Sequence, residues 1–573
     1  MPNLKEDARE VVEKNRQFVS DHEAQLQNYL DYYKHYLVEP TPLRKEIRSN
    51  PAIPEIHSEV EAIATAWFEM FYSDNTEAGF FVVDEQREEY MDLARYAQAN
   101  LVKRLEMIEF PRKFLSMLRW TALNGMSFAK LPWILREKDT MVRRGGSFVK
   151  NRTVDFDSFD YKIISPLYAR YSPSSVNIQD GWFALEYPIS LDDAKMQEKM
   201  GFFKNVSQAV GSQGSDSRRF DDQRRSIAGR TQSTYKDKNS LYIIEYWGQL
   251  ASRESLSNRF YVSSNGTVLR EPEDNPYPHG KTPVSKSMFV DLGDEFEGIG
   301  VGKVNSRGQD EINEHAALNL DILLRQAYGQ IYKLRGAGIE DDDLVYKPNG
   351  IIEGDIRDAL TPIRPPVDGL VMAMRMQEMR RSDMQRASAA SSALQAIPID
   401  TSVGQFRSIH AESIRRLKVI AQANIGAHLK ECLYQFHENC LALADSSVLV
   451  EILGEDGART FEEANRKDLP KSINLKIKTS LDSASRISSL RNFNDFMGQL
   501  AELKRSDPSL QINYAKLGKL ASKMFGYDPE EIIIEAGVQA ELANPATRKV
   551  AAREALSQLA SQGRETMAQN ASA

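Results

Sequence analysis

Three glycines at alternate positions, Gly298, Gly300 and Gly302, open the segment that most constrains the fold of this 573-residue chain. A proline-punctuated loop over 275–280 and a short apolar run precede them, and no proline follows until well beyond residue 331. The apolar positions of the stretch after Gly302 are Ile312, Ala316, Leu320, Leu323, Ala327 and Ile331. Their spacing of three or four residues predicts one straight helix of roughly 40 Å.

This predicted helix is apolar on more than one side. Leu318, Ile322 and Leu324 lie off the main apolar stripe. A helix that is hydrophobic on several sides must be covered by neighbours. We therefore expect Ile312, Leu320, Leu323 and Ile331 to pack the helix against other elements or against other copies of the chain.

The glycines could also suggest a nucleotide site, but their surroundings argue against one. A phosphate-binding P-loop needs a glycine five positions before its Gly-Lys pair and a hydroxyl residue after it. Before Gly302-Lys303 that position is Glu297, and Val304 follows the lysine. The dinucleotide-binding fingerprint Gly-x-Gly-x-x-Gly is not met either, because one residue instead of two separates Gly300 from Gly302. The glycines are better interpreted as a tight lead into the helix, and we expect neither a cofactor nor ATPase activity.

Length and composition indicate an ordinary globular protein of two to four domains. No apolar run approaches the 18 residues of a membrane helix, so no membrane is expected. Cys432 and Cys440 are eight residues apart in a helical pattern, about 12 Å, which is too far for a disulfide between them. They are expected to be free thiols in a reducing cytoplasm. A net charge of −8 argues against tight DNA binding through a basic surface.

Before the glycines, apolar periodicity predicts helices over 4–37, 57–72 and 84–123, with a break near Pro111. Strands are predicted over 127–133, over 161–164 paired with 182–187, over 241–249 and over 259–269. Ser190 is expected to cap a short helix, and Asn265-Gly266 to form a hairpin turn. The polar stretch 205–240 has scarcely any apolar residue and predicts a mobile excursion.

After the glycines, turn residues dominate from 336 to 366. A methionine-rich helix is predicted from Asp368, ending in a small-residue run over 387–393, and a third helix over 403–444. Strands are predicted over 448–453 and 473–478, followed by helices to the end of the chain.

Other groups of reactive residues have plain structural interpretations. His428 and Cys432, or His410 and Glu412, share helical faces without a third ligand nearby, so no metal site is predicted. The acidic cluster 340–343 lacks the alternation of a calcium loop and is interpreted as a solvated turn, with a partner-facing role as the alternative. The methionine-rich helix either packs on its neighbours or binds a partner or membrane. No arrangement typical of a catalytic triad or dyad is present.

The order of motifs around the glycines resembles the centre of tailed-bacteriophage portal proteins. In that family an NPYPHGK-P loop, an acidic aromatic GEF-GIG turn and an LQDEIN helix come in this sequence. The matching residues are Asn275–Lys281 with Pro283, Gly293–Gly302 and Gln309–Asn313. One extra acid in the turn and Gly308 in place of the usual leucine are small departures. The resemblance extends over most of residues 25–500 at varying strength, and the stretch Leu481–Arg486 is most like short-tailed phage portals.

The resemblance implies an α+β, mainly helical chain with the portal fold, assembled as a ring of usually twelve copies. The implied domains are a wing over 1–297 that includes the excursion 205–240, a stem helix over 298–331, a clip over 332–362, a second stem helix over 363–385, a tunnel loop over 386–400, a wing return over 401–480 and a helical crown over 481–573.

The implied function is that of the DNA channel at one capsid vertex, in the virion and, during assembly, in the host cytoplasm. Double-stranded DNA would pass through the ring without sequence preference, driven in by a separate terminase, and later leave towards a tail adaptor. The major capsid protein would surround it, and the chain itself would not be an enzyme. Twelve chains at −8 each would carry about −96, and a wall of that sign lets DNA slide.

The resemblance also suggests which side chains face DNA. These channel candidates are Gln385, Arg386, Gln395, Arg375 and Arg381, on the second stem helix and the predicted tunnel loop. The competing interpretation makes the small-residue run 387–393 the continuous, buried part of a helix, because alanine favours helix. Two other functions stay open, namely another structural virion component such as a tail adaptor, and a nucleotide-binding enzyme.

Overall fold

We describe a computed structural model of the chain. The described residues are 4–17, 21–34, 51–72, 81–83, 91–144, 147–210, 240–255, 257–327, 330–333, 360–363, 368–390, 414–466 and 474–477. The chain divides into two units between Ser480 and Leu481, and all described residues belong to the first. This division falls where the sequence places the start of the predicted crown.

The described part is a mixture of helix and antiparallel sheet. Its helices are α1 Leu4–Gln17, α2 Asp21–Tyr33, α3 Glu55–Tyr72, α4 Met91–Met107, α5 Phe110–Asn124, α6 Leu191–Lys199, α7 Val206–Ala209, α8 Val301–Ala327, α9 Asp368–Ser388, α10 Gly426–Leu443 and α11 Ser446–Arg466. Residues 414–420 are also helical and continue through a π-helical segment, Ala421–Ile425, into α10.

The strands are β1 Phe81–Val83, β2 Met126–Lys130, β3 Trp133–Arg144, β4 Ser147–Phe159, β5 Lys162–Ile164, β6 Ala169–Tyr171, β7 Phe183–Ser190, β8 Ser240–Gly248, β9 Asn258–Ser263, β10 Val268–Asp274, β11 Val284–Met288, β12 Gln330–Lys333, β13 Leu360–Ile363 and β14 Leu475–Ile477. A five-stranded sheet has the order β10-β9-β8-β7-β6, and a three-stranded sheet has the order β11-β2-β5. Three two-stranded pairs complete the set: β3-β4, β12-β13 and β1-β14.

The main core forms where α3, α5 and α10 pack around buried aromatic rings. Trp67 of α3 is fully buried and donates its indole N–H to the carbonyl oxygen of Leu417 at 3.1 Å. Phe159, at the end of β4, stacks on Phe436 of α10 with ring centroids 3.8 Å apart. A buried ion pair between Lys130 of β2 and Glu245 of β8 joins the two larger sheets at 2.6 Å. These contacts make the sheets and the central helices one packed body.

Several local predictions are confirmed by capping and turn geometry. The Ser190 hydroxyl accepts a hydrogen bond from the backbone N–H of Asp193 at 3.0 Å and so caps α6. Gly266, with φ of 88°, closes the turn between β9 and β10. The break near Pro111 is also present, because α4 ends at Met107 and α5 begins at Phe110. Cys432 and Cys440 are both free and buried.

Three predictions about secondary structure are wrong. The predicted helix over 4–37 is two helices, α1 and α2. The predicted strand over 448–453 lies in α11, where Leu449 is buried against the core; a short apolar run cannot be told from a helix by periodicity alone. The strands over 161–164 and 182–187 do not pair with each other: β5 joins β2, whereas β7 lies between β6 and β8.

The end of the long helix also differs from its prediction. α8 ends at Ala327, and Ile331 lies instead in β12, opposite Pro362 of β13. Ile331 is therefore not a packing residue of the helix. β13 in turn takes residues 360–363, and the methionine-rich helix begins at Asp368, as its pattern predicts. Most of the predicted clip and all of the predicted crown lie outside the described residues.

Candidate functional site

The three glycines before α8 have a direct packing role. Their loop crosses the left-handed turn at Gly125, which ends α5 with φ of 85°. A Cβ on Gly298 would lie 2.2 Å from the carbonyl oxygen of Gly125, and one on Gly300 would lie 2.1 Å from its nitrogen. At Gly302 it would meet the ring of Tyr29 at 2.5 Å. Real Cβ atoms do not approach other atoms so closely, so the glycines permit a backbone crossing that fixes where α8 begins.

The acidic aromatic turn before the glycines is held by its phenylalanine. Phe296 is buried and stacks on Tyr171 with ring centroids 3.7 Å apart. The ammonium of Lys286 lies 4.1 Å from the Phe296 ring centroid and donates to the carbonyl oxygens of Phe296 and Val176 at 2.9 and 2.8 Å. Burial lowers the pKa of Lys286 to about 8. These contacts attach the turn to β11, the strand that precedes α8 in the chain.

The polar residues early in α8 anchor this helix to the start of α3. Gln309 accepts a hydrogen bond from the backbone N–H of Ile56 at 3.1 Å and donates to the carbonyl oxygen of Ile53 at 2.7 Å. Asn313 accepts from the N–H of Ile53 at 2.9 Å, and Asp310 accepts from the hydroxyl of Tyr32 at 2.9 Å. The Gln-Asp-Glu-Ile-Asn motif is therefore an anchor in which all five side chains have assigned partners or burial, since Glu311 pairs with Arg380 and Ile312 is fully buried.

A buried carboxyl connects α3, α8 and α9. Asn305 of α8 donates to Glu59 of α3 at 2.6 Å and to the carbonyl oxygen of Met384 of α9 at 3.1 Å. Burial raises the pKa of Glu59 to about 7, although hydrogen bonds from Asn305 and Ser388 oppose the rise. Glu59 is consequently protonated over much of the range below neutral pH.

α8 and α9 form an antiparallel pair. Gly308 leaves no room for a side chain, because its Cβ would meet Met384 at 2.8 Å. Asn305 bonds Met384, and Glu311, six residues later in α8, makes an ion pair with Arg380, four residues earlier in α9, which fixes the antiparallel direction. Gly308 stands where portal proteins usually have leucine, and in this chain it allows the methionine of α9 to approach.

The outer faces of the same pair are apolar and open. On α8 Leu320 and Leu323 are 43% and 46% exposed, whereas Ile312 is fully buried inside the chain. The further exposed apolar residues on the two helices are Val304, Leu318, Leu324, Val371, Met372, Met374, Met376 and Met379. Of the predicted packing residues, Ile312 therefore packs within the chain and Leu320 and Leu323 are left on its surface.

The residues predicted to face DNA are placed differently from one another. Arg375 and Arg386 are exposed on α9. Arg381 donates to Glu55 at 2.7 Å and is half-buried, so it serves the contact between α9 and α3. Gln385 is only 8% exposed, which leaves little of its side chain to face a channel. Gln395 lies outside the described residues.

The small-residue run begins buried, as the competing interpretation expects, but it does not continue the helix. Ser388 ends α9, and Ala389 and Ala390 are both buried in the main core. Ala389 has φ of 62°, which turns the chain sharply out of the helix. Arg416 donates to the carbonyl oxygens of Arg386 and Ala387 at 3.2 and 3.4 Å, which satisfies the end of the helix. The rest of the predicted tunnel loop, from residue 391, lies outside the described residues.

The buried histidine of α10 belongs to a hydrogen-bonded chain of side chains. His428 contacts the hydroxyl of Tyr161 through Nε2 at 2.9 Å and that of Ser285 through Nδ1 at 2.9 Å. Ser285 donates to Glu431 at 3.3 Å, so the chain runs from Tyr161 to a carboxylate. Burial lowers the pKa of His428 to about 4, so its ring is neutral at pH 7. Because Tyr161, Ser285 and His428 are all buried, we assign the group a structural role.

Within the described residues, no three His, Cys, Asp or Glu side chains gather where they could hold a metal ion. None of the described helices combines the length and the apolar character that crossing a bilayer requires. A scan against protein-family models and a search of curated proteins found no match to this chain. The functional argument therefore depends on the geometry of the α8–α9 pair and on the motifs that position it.

Sequence reasoning missed two of the residues that build this pair. Glu59 and Asn305 carry no motif of their own, and only the fold brings them together across 246 positions. A signal for Asn305 was nevertheless present, because it lies four residues before Gln309 and eight before Asn313 on one helical face. A stripe of amide side chains along one helical face indicates a buried hydrogen-bonding surface.

Proposed function

We propose that this chain is the portal protein of a tailed bacteriophage, a ring-forming subunit that lines the DNA channel at one capsid vertex. In this proposal α8 and α9 are the stem helices, β12 and β13 begin the clip, and the sheets form the wing. A separate terminase drives double-stranded DNA through the ring, and a tail adaptor and the major capsid protein contact its outside. The subunit has no catalytic role.

One observation carries this proposal. The motif residues that resemble the portal family are the ones that position α8, through Gly300, Gln309 and Asn313, and Glu311 of the same motif pairs with Arg380 of α9. The braced pair then leaves apolar side chains open on both helices. Because burying a leucine or methionine side chain is favourable by about 1.5–3 kcal/mol, such faces favour association of several copies.

The charge on the pair is compatible with a channel wall. Arg380 and Arg381 are neutralised by Glu311 and Glu55, which leaves Arg375 and Arg386 as exposed arginines on the described part of α9. Few cations facing DNA permit transient phosphate contacts without strong retention, since affinity for DNA rises steeply with each phosphate neutralised. We propose Arg375 and Arg386 as the channel contacts in place of Gln385.

The test replaces apolar side chains on the open faces and measures assembly. Leu320→Glu with Leu323→Glu, and separately Met372→Glu, should lower the assembled fraction in native mass spectrometry by at least about tenfold, because each buries a charge in an apolar contact. Met196→Glu on α6 is the matched control, since Met196 is 55% exposed and Met372 is 63% exposed. If the stem variants assemble as well as the control, the α8–α9 faces are not the subunit contact.

A further inference from the structure

The chain leaves α9 through a backbone conformation that its own side chain does not favour. Ala389 has φ of 62°, in the left-handed region, which costs energy for a residue that carries a Cβ. A conformation of this kind persists only where the surrounding contacts enforce it, and it is typical of segments that switch. The position of residues 384–390, which we call the α9 exit, therefore depends on the contacts that hold it.

One buried hydroxyl holds the α9 exit together. Ser388 donates to the carbonyl oxygen of Met384 at 3.1 Å and accepts from the backbone N–H of Ala390 at 3.3 Å. Ser388 is 3% exposed, and Ala390 is fully buried in the main core. Because a hydroxyl carries a single proton, Ser388 can donate to only one acceptor at a time.

The carboxyl of Glu59 lies beside this hydroxyl and shares a partner with it. Asn305 donates to Oε2 of Glu59 at 2.6 Å and to the carbonyl oxygen of Met384 at 3.1 Å, so α3, α8 and the α9 exit meet at one amide. Ser388 is also within hydrogen-bonding reach of Glu59, but its proton goes to Met384. Among the described residues, Oε1 of Glu59 consequently has no hydrogen-bond donor. A buried carboxylate oxygen without a donor is destabilising, whereas a protonated carboxyl can donate to Ser388 itself.

The charged groups around Glu59 do not offset its ionisation. One turn earlier on α3 lies Glu55, and the cation of α9, Arg381, binds Glu55 at 2.7 Å. Farther along α8, Glu311 is paired with Arg380. Burial, and to a smaller extent the charge of Glu55, raise the pKa of Glu59 to about 7. The carboxyl therefore changes its protonation state close to neutral pH.

We propose that Glu59 is a proton-operated latch, which holds the α9 exit against α3 and α8 when it is protonated and releases the exit when it is ionised. The ionised carboxylate competes with the carbonyl of Met384 for the one proton of Ser388, and either choice leaves a buried acceptor unpaired. Opening the exit lets water reach the carboxylate and lets Ala389 return to a negative φ. Under the proposed function the exit begins the predicted tunnel loop, yet the latch requires only a single chain.

Hydrogen–deuterium exchange of the purified chain tests the latch. The readout is the protection of the amides at 385–390, which is the intrinsic exchange rate at a given pH divided by the measured rate. In the wild type this protection should fall about tenfold from pH 6 to pH 8.5, because the carboxyl regains its ordinary pKa of 4.5 when the exit opens. In Glu59→Gln, which is neutral at every pH, it should change by less than about threefold.

Two further variants and an internal reference make the comparison specific. Glu378→Gln removes an exposed carboxyl from the same helix and should keep the fall seen in the wild type. Glu59→Met, also neutral and of similar length, provides the same readout if the glutamine variant does not fold. Helix α5 is the reference, because its buried residues belong to the main core and its amides exchange when the whole chain unfolds. Protection at 385–390 should lie below that of α5 at both pH values.

The outcomes separate the latch from the proposed function. Equal protection of the wild-type exit at the two pH values overturns the latch. A fall of the same size in the neutral variants assigns the pH dependence to another group and also overturns it. Protection at 385–390 equal to that of α5 means that the exit opens only with the whole chain, which again contradicts the latch. A chain that never assembles but shows the fall in the wild type alone overturns the proposed function and supports the latch.

Discussion

Replacing Glu59 by glutamine should stabilise the protein at alkaline pH and have much less effect at acidic pH. The carboxyl lies between α3, α8 and α9, where Asn305 donates to it at 2.6 Å. Burial raises its pKa from 4.5 to about 7, so the folded state favours the protonated form. This group therefore destabilises the folded state once the pH exceeds the pKa of the carboxyl in the unfolded chain. The destabilisation reaches its full size above about pH 7, the pKa in the folded state. Glutamine is neutral at every pH and keeps an oxygen for Asn305.

The expected magnitude follows from the size of the shift. A rise from 4.5 to about 7 corresponds to about 3 kcal/mol of destabilisation at pH 8, at 1.36 kcal/mol per unit of pKa. At pH 5 the folded carboxyl is protonated and the unfolded one is mostly ionised, so the cost is about 1 kcal/mol. The advantage of the glutamine variant should thus grow by about 2 kcal/mol from pH 5 to pH 8.

The assay is urea denaturation followed by tryptophan fluorescence, because Trp67 is buried on the same helix as Glu59. Wild type and variant are compared at pH 5 and pH 8, and the difference in free energy of unfolding is taken at each pH. Glu451→Gln on α11 is the control, since Glu451 is exposed and its replacement should change stability by less than about 0.5 kcal/mol. A difference that is the same at both pH values would refute the reasoning, because the carboxyl would then be ionised in the folded state.

Three further predictions concern Gly300, His428 and Ala390. Gly300→Ala should lower the free energy of unfolding by at least about 2 kcal/mol, because the new Cβ would strike Gly125. The control is Gly426→Ala, inside a helix with ordinary contacts, which should be neutral or stabilising. Equal effects of the two changes in urea denaturation would contradict this. The pKa of His428 is depressed to about 4, so the neutral ring stabilises the folded state fully above pH 6.5, and this contribution should fall by about 2 kcal/mol between pH 7 and pH 5. The fall in the free energy of unfolding between these pH values should be smaller in His428→Gln. An equal fall in variant and wild type would contradict the argument. Ala390→Trp should lower the midpoint of thermal unfolding, because Ala390 is fully buried and has no room for an indole ring. An unchanged midpoint would contradict this and support a place for Ala390 in the channel lining.

The sequence was informative where the signal is local. The start of α8, the cap at Ser190 and the turn at Gly266 follow from residue types that few other conformations suit. Element boundaries were less well predicted, because the period of apolar residues that defines α8 continues to Ile331 although the chain turns into β12 there. Pairing with β13, thirty residues on, decides that boundary and leaves no local signal.

The candidate site shows the same division. The motif at Gln309–Asn313 could be recognised as a unit, but its partners at Ile53 and Ile56 depend on how α3 packs on α8. The role of Gln385 was predicted from its place beside a loop, whereas its burial depends on contacts across the fold. The ribbon β3–β4 was not predicted at all, because its polar and basic residues obscure the alternation by which a half-buried strand is recognised.

The central claim is that copies of this chain close into a ring, and negative-stain electron microscopy of the purified wild type tests it most directly. Images should be recorded over a hundredfold range of concentration, and particles viewed down the axis averaged without imposed symmetry. The account predicts closed rings with an open centre and a single rotational symmetry, most simply twelvefold. Single subunits at every concentration, or assemblies without a central opening, would contradict it.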